Sequence, residues 1–221
     1  MKKHSTLILL LVLGVSAGCK KTGPPYSGPV NSLKRYPFEH FHLVYEFGGD
    51  ARGTEDVYVS GYGRNEAQYT KSDLFGPQGL STENTIIITK IANAYSLDFS
   101  KKTYSQNHLD YLDSLYHLDE SDVPSSQQYL EFEMKRNLMK NSGQDTVAGY
   151  QGVRWQLIDG NMSMWTWKGI LLRKFAASEQ GSLDMRIKSI DTLWTVDSTK
   201  FMIPKDFKEV KLQGPNAPPE N

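Results

Sequence analysis

Period-two alternation governs most of this chain. In residues 40–47 (HFHLVYEF), Phe41, Leu43, Tyr45 and Phe47 fall on one side of an extended backbone, and His40, His42 and Glu46 on the other. That pattern predicts a strand with one buried face. Gly48-Gly49 breaks it, and TEDVYVSGYG (54–63) offers the next strand, ending in a glycine turn. NEAQYT, NTIIITKI and NAYSLDF continue the series, the last two rich in β-branched and aromatic residues. A second run begins at GVRWQLIDGNMSMWTWKGILLRKF, where Val153, Trp155 and Leu157 alternate and Asp159-Gly160 signals a hairpin. SLDMRIKSI and TLWTV complete it. Roughly nine or ten strands at meander spacing predict a mainly β fold, an antiparallel sheet or barrel.

Between the two runs the period changes. Residues 105–143 are polar, with Leu109, Leu112, Leu115 and Tyr116 forming one helical stripe. Tyr129, Phe132, Leu138 and Met139 form a less regular one. Ser125, after Pro124, is placed to cap a second helix, and Gly143 to end it. Two helices over about residues 105–141 are therefore expected to cover one face of the sheet.

The first 18 residues are of another kind. Lys2 and Lys3 precede an apolar run over residues 7–15, too short for the roughly 20 residues of a membrane-spanning helix. Ser16-Ala17-Gly18-Cys19 follows, and Cys19 is the sole cysteine, so no intrachain disulfide can form. The segment resembles a bacterial lipoprotein signal peptide, with Ser16 where that family usually has Leu or Val. The resemblance implies cleavage after residue 18 and lipidation of Cys19, with several acyl chains giving stable anchoring. Residues 19–32 are Gly- and Pro-rich and read as anchor plus flexible tether, spanning up to ~40 Å if extended. Lys20 takes the place of the Asp linked to inner-membrane retention, which points to the outer membrane. Residues 33–211 read as one domain, and residues 212–221 as a disordered tail.

The layout, with VAGYQGVRW (147–155), WTWKGILLRK (165–174) and FMIPKDFKEV (201–210), resembles the LolA/LolB-like lipoprotein-carrier superfamily, in an uncharacterised lipoprotein-anchored branch. The resemblance covers most of residues 38–210. It implies a strongly curved antiparallel sheet, an unclosed barrel, wrapped on two or so helices with an apolar cavity between. The sequence shows no clear exposed leucine loop of the kind membrane-delivering relatives insert into lipid.

Chemistry-bearing patterns are few. His40 and His42 form an H-x-H, half of a metal site, and read more simply as solvent-facing. His108, Asp110, Asp113, His117, Asp119, Glu120 and Asp122 cluster without EF-hand spacing and read as a solvated helix face with an acidic exit. No serine sits in a G-x-S-x-G elbow, so no catalytic residue, metal or cofactor is assigned and an enzyme is not expected. The chain has 25 basic and 25 acidic side chains; losing Lys2 and Lys3 leaves it about −2, with no basic face for nucleic acid.

The aromatic residues remain. Tyr45, Phe47, Trp155, Trp165, Trp167 and Trp194 either fill an ordinary core or line a cavity for an acyl chain or other apolar ligand. Two functions follow. One is a membrane-anchored envelope lipoprotein that binds an apolar ligand or a lipoprotein acyl chain. The other is an accessory or structural subunit of an envelope complex, with a filled core and an exposed apolar patch.

Overall fold

A computed structural model describes residues 29–76, 79–178 and 181–210. The leader, Cys19 and the residue 212–221 tail lie outside the described residues. So does most of the tether, but the chain is pinned from Asn31 onward: its amide donates to the Tyr116 carbonyl and its side chain to those of Leu115 and Leu118.

Twelve strands form one sheet. They are β1 (Phe41–Gly49), β2 (Ala51–Ser60), β3 (Asn65–Gly76), β4 (Gly79–Lys90), β5 (Asn93–Asp98), β6 (Thr103–His108), β7 (Met139–Val147), β8 (Tyr150–Leu157), β9 (Met162–Trp167), β10 (Ile170–Ser178), β11 (Gly181–Asp191) and β12 (Lys208–Glu209). Helices α1 (Asp110–Tyr116) and α2 (Ser126–Arg136) lie between β6 and β7. The spatial order is β12-β6-β5-β4-β3-β2-β1-β11-β10-β9-β8-β7. Each half is thus a meander, and the halves join where β1 pairs with β11. All pairs are antiparallel except β12 on β6. The sheet is curved and not closed into a barrel: β7 forms one edge, and β6 with its short cap β12 the other.

Tight turns make the meander possible. Between β9 and β10 only Lys168 and Gly169 intervene, both at positive φ (49° and 82°), a twist that matches the strands on either side. Gly61-Tyr62-Gly63 is a turn between β2 and β3, as its glycines suggest.

Three sequence expectations need correction. TLWTV is not a strand: the chain leaves the sheet after Asp191 and runs irregularly through a 3-10 turn (Ser198–Phe201) to β12. Ser105–His108 belongs to β6 rather than to a helix, and β7 begins at Met139. Helix α2 is capped by Ser125 in a reciprocal box with Gln128, but it ends at Arg136, well before Gly143. Its second stripe is Tyr129, Leu130 and Met134, whereas Phe132 and Leu138 are exposed. Leu138, just past the helix, takes the left-handed conformation (φ 58°) usually given to glycine.

Directly opposed residues of paired strands share a face, so the register separates two surfaces. On one, Tyr58, Ala67, Tyr69, Ile86, Ile88, Tyr95, Leu97 and Tyr104 line up across β2–β6. The segment after β11 straps over them with Trp194, Phe201, Ile203 and Phe207. On the other, Phe41, Leu43, Tyr45 and Phe47 of β1 align with Val57 and Val59 of β2 and with Met185 and Ile187 of β11. The same surface continues through Met164 to Trp155, where α2 packs. We call these the strap face and the helix face.

Candidate functional site

The helix face changes character along its width. Beneath α2 it is apolar: Leu130 and Met134 of the helix pack on Met139, Trp155 and Met164, with Met162 and Leu157 beside them. Four methionines around one tryptophan make an adaptable surface, because an unbranched thioether fits many shapes. Trp155 satisfies its indole N–H on Thr166 Oγ1 at 2.9 Å.

Beyond β1 the same face turns polar. Glu55 opposes Tyr45, and Glu66, Gln68, Thr70 and Ser72 of β3 follow, then Glu83 of β4 opposite Ser72. Glu55 is 5% exposed and accepts from Thr70 Oγ1 at 2.7 Å. Burial raises its carboxyl above the ordinary range, and the Thr70 bond only partly offsets this. Burial raises Glu83 as well. From β10, Lys174 joins this face: it opposes Met164 on one side and Met185 on the other. Burial lowers its ammonium pKa, with Glu55 opposing.

One end is closed by the N-terminal segment and α1. Leu33, Leu112, Tyr116 and Tyr129 pack with the Ile91-Ala92 turn. Arg35 donates to the Gly63 carbonyl and pairs with Glu66 at 3.1 Å, both side chains being under 10% exposed. Desolvation works against the Arg35 charge, but Glu66 and neighbouring tyrosines outweigh it and the pKa is raised. Tyr36 donates to Glu66 at 3.1 Å, and burial beside that carboxylate pushes its phenol far up. On α2, Glu133 is 4% exposed, with Oε2 3.3 Å from Arg136 and Oε1 without a partner. Such a group is costly to bury.

The residues expected to line a cavity are divided. Tyr45, Phe47 and Trp155 lie on the helix face, and the Tyr45 hydroxyl reaches across to the Leu171 carbonyl at 2.8 Å. Trp165 opposes Arg154 and Arg173 and is therefore on the other surface, where both guanidiniums stack on its ring and its N–H meets Asp145. Trp167 alternates with Trp165 and packs on Phe38 and Tyr150 at the closed end. Trp194 belongs to the strap, against Tyr58 and Phe201.

The histidines are more engaged than their pattern suggests. His42 stacks on Tyr58 at 4.4 Å and pairs with Asp56 at 2.7 Å, so it is not simply solvent-facing. Asp113, 7% exposed, sits between His108 (3.3 Å) and His117 (3.4 Å), which replaces the expected solvated helix face with a buried tie between β6 and α1. Among the described residues no three such side chains converge to hold a metal ion. The sequence also hid an exposed apolar hairpin tip, where Phe75 and Leu80 pair at the ends of β3 and β4, 53% and 62% exposed. Glu55 and Lys174 were missed too. Glu55 had a signal, since it falls in phase with Val57 and Val59.

No protein-family profile matches the chain, and no curated protein sequence matches it. Among solved structures, an uncharacterized conserved protein from Thermus thermophilus superposes with a TM-score of 0.51 at 9% identity, over 82% of this chain and 95% of that one. LprF from Mycobacterium bovis gives 0.32 at 12% identity, over 78% and 91%. The Mycobacterium tuberculosis lipoprotein LppX gives 0.32 at 12%, over 73% and 91%. The likeness to the Thermus protein is one of fold alone.

Proposed function

We propose that this chain is an envelope lipoprotein, anchored through Cys19, whose sheet binds an amphiphile between the helix face and α2. The observation that carries this reading is the division of the helix face. An acyl chain needs an apolar wall, which Met162, Met164, Trp155 and Met134 supply. A polar head needs hydrogen-bonding groups on the same surface, which Glu55, Thr70 and Ser72 supply. A filled structural core has no use for a row of carboxylates and hydroxyls on its inner side. The roof is a single helix of 11 residues, a length that is marginal without packing, so it can shift to admit a guest. The lipoprotein-carrier resemblance in the sequence implies the same open, helix-covered sheet. The reading assigns the chain no reaction.

Native mass spectrometry of the full chain carrying Cys19→Ser, purified from a bacterial envelope, tests it. A stoichiometric added mass that leaves as lipid on denaturation is the expected result. A bare polypeptide that also takes up no offered fatty acid overturns the proposal. One feature favours the accessory-subunit reading instead: Leu138 and Ile158, hydrogen-bonded neighbours, are 63% and 67% exposed. The bare-mass result would direct attention to a protein partner at that surface.

A further inference from the structure

Lys174 is out of place for a structural residue. Register sets it between Met164 and Met185, on the helix face and in line with the methionine wall under α2. Among the described residues it makes no hydrogen bond and no ion pair within 4 Å; its one charged neighbour, Glu55, acts across a longer gap. Glu55 is meanwhile engaged by Thr70. The arginines of the same strands do not help, because Arg173 and Arg186 lie on the other surface, where both clamp Asp184. Protein surrounds Lys174 closely enough to disfavour its charge, yet the side chain is not fully buried and keeps accessible surface. An ammonium largely withdrawn from water without a partner is unfavourable unless something supplies the missing anion.

We infer that Lys174 receives the anionic head of the bound amphiphile, a carboxylate or a phosphate, while the acyl chain runs along Met164, Met162 and Trp155 beneath α2. This rests on the binding reading above and names its ligand class. The head completes an ion pair in a low-dielectric setting, where a charge-assisted hydrogen bond counts for more than it would in water. Selectivity then comes from Lys174, and the methionines accept chains of different length and saturation.

Palmitate, hexadecanol and dipalmitoyl phosphatidic acid separate the possibilities when titrated against the full chain carrying Cys19→Ser, with bound ligand read by native mass spectrometry. The wild-type chain should hold palmitate, phosphatidic acid or both at least about 10-fold more tightly than hexadecanol, which has the same chain as palmitate and no charge. Lys174→Met, a near-isosteric change among methionines, should bring the preferred anion down to the level of hexadecanol, and Lys174→Arg should restore most of the difference. Which acid loses affinity identifies carboxylate or phosphate as the head. Equal binding of hexadecanol and both acids, or an undiminished preference in Lys174→Met, overturns the inference and leaves the binding module standing. Failure of all three ligands to bind overturns the module itself.

Discussion

The two faces of this sheet are covered in different ways. Over the strap face runs an extended segment fastened by aromatic side chains: Trp194 against Tyr58 and Phe201, Phe207 against Phe99, and the Lys200 carbonyl accepting from Tyr69. Beneath it the residues are tyrosine, isoleucine and leucine, with few rotamers to spare. Over the helix face, α2 meets methionines on its apolar side and carries Glu133 inward, with one oxygen unsatisfied. The strap spends its contacts on a fixed fit. The helix is held by groups that tolerate rearrangement, and one of them works against the closed position. Such a contrast within one sheet separates what keeps the fold from what lets it act.

Truncating the strap should have the largest effect. Phe201→Ala is expected to cost about 3–5 kcal/mol in urea unfolding and to weaken hydrogen exchange protection through β2–β5 as a unit. If only residues 192–207 lost protection, the strap would be as loosely held as α2 and the contrast would fail. Next comes the exit of α2. Leu138 is exposed and left-handed, so Leu138→Gly removes strain at no loss of burial and should stabilise the chain by about 1 kcal/mol. A destabilised variant would mean that Leu138 is held by contacts its exposure does not reveal.

The smallest effect concerns Glu133, whose carboxyl burial raises above its ordinary value of 4.5, with Arg136 opposing. Folding therefore favours the protonated form. Its contribution is fully present below the unfolded pKa and is lost as pH rises through the folded one. Glu133→Gln mimics the protonated state and should exceed the wild type at pH 7 by about 1 kcal/mol or less, the two converging near pH 4. A difference that stays constant with pH would remove the carboxyl from the account of why α2 is loosely held.

Much of the fold was legible because it is local. Alternation in β1 survives as Phe41, Leu43, Tyr45 and Phe47, all buried, and Ser125 after Pro124 marks the start of α2. What was hidden depends on partners far along the chain. Strand β7 is an exposed polar edge with no alternation to read, since only Met139 is buried. The TLWTV segment alternates like a strand yet ends up as part of the strap, because no free sheet edge lies where β11 delivers it. Lys174 was invisible for a related reason: the irregularity between Leu171 and Arg173 shifts the phase of β10, so counting by twos does not show which face it takes. Tyr45, Phe47 and Trp155 were placed on one face by the register, but the tryptophans of β9 and of the strap were not. Composition alone made all six look equivalent.

The seam between β1 and β11 has a consequence for how the chain comes to be folded. Each meander can assemble from hairpins whose partners are neighbours in sequence, which are fast steps. The seam instead matches His42 with Asp191, closing a loop of roughly 150 residues. Until it closes, β1 and β11 are two long, apolar, unprotected edges, each able to pair with the wrong chain. Time to completion, and the hazard of aggregation on the way, should therefore be set by this one junction at the middle of the sheet.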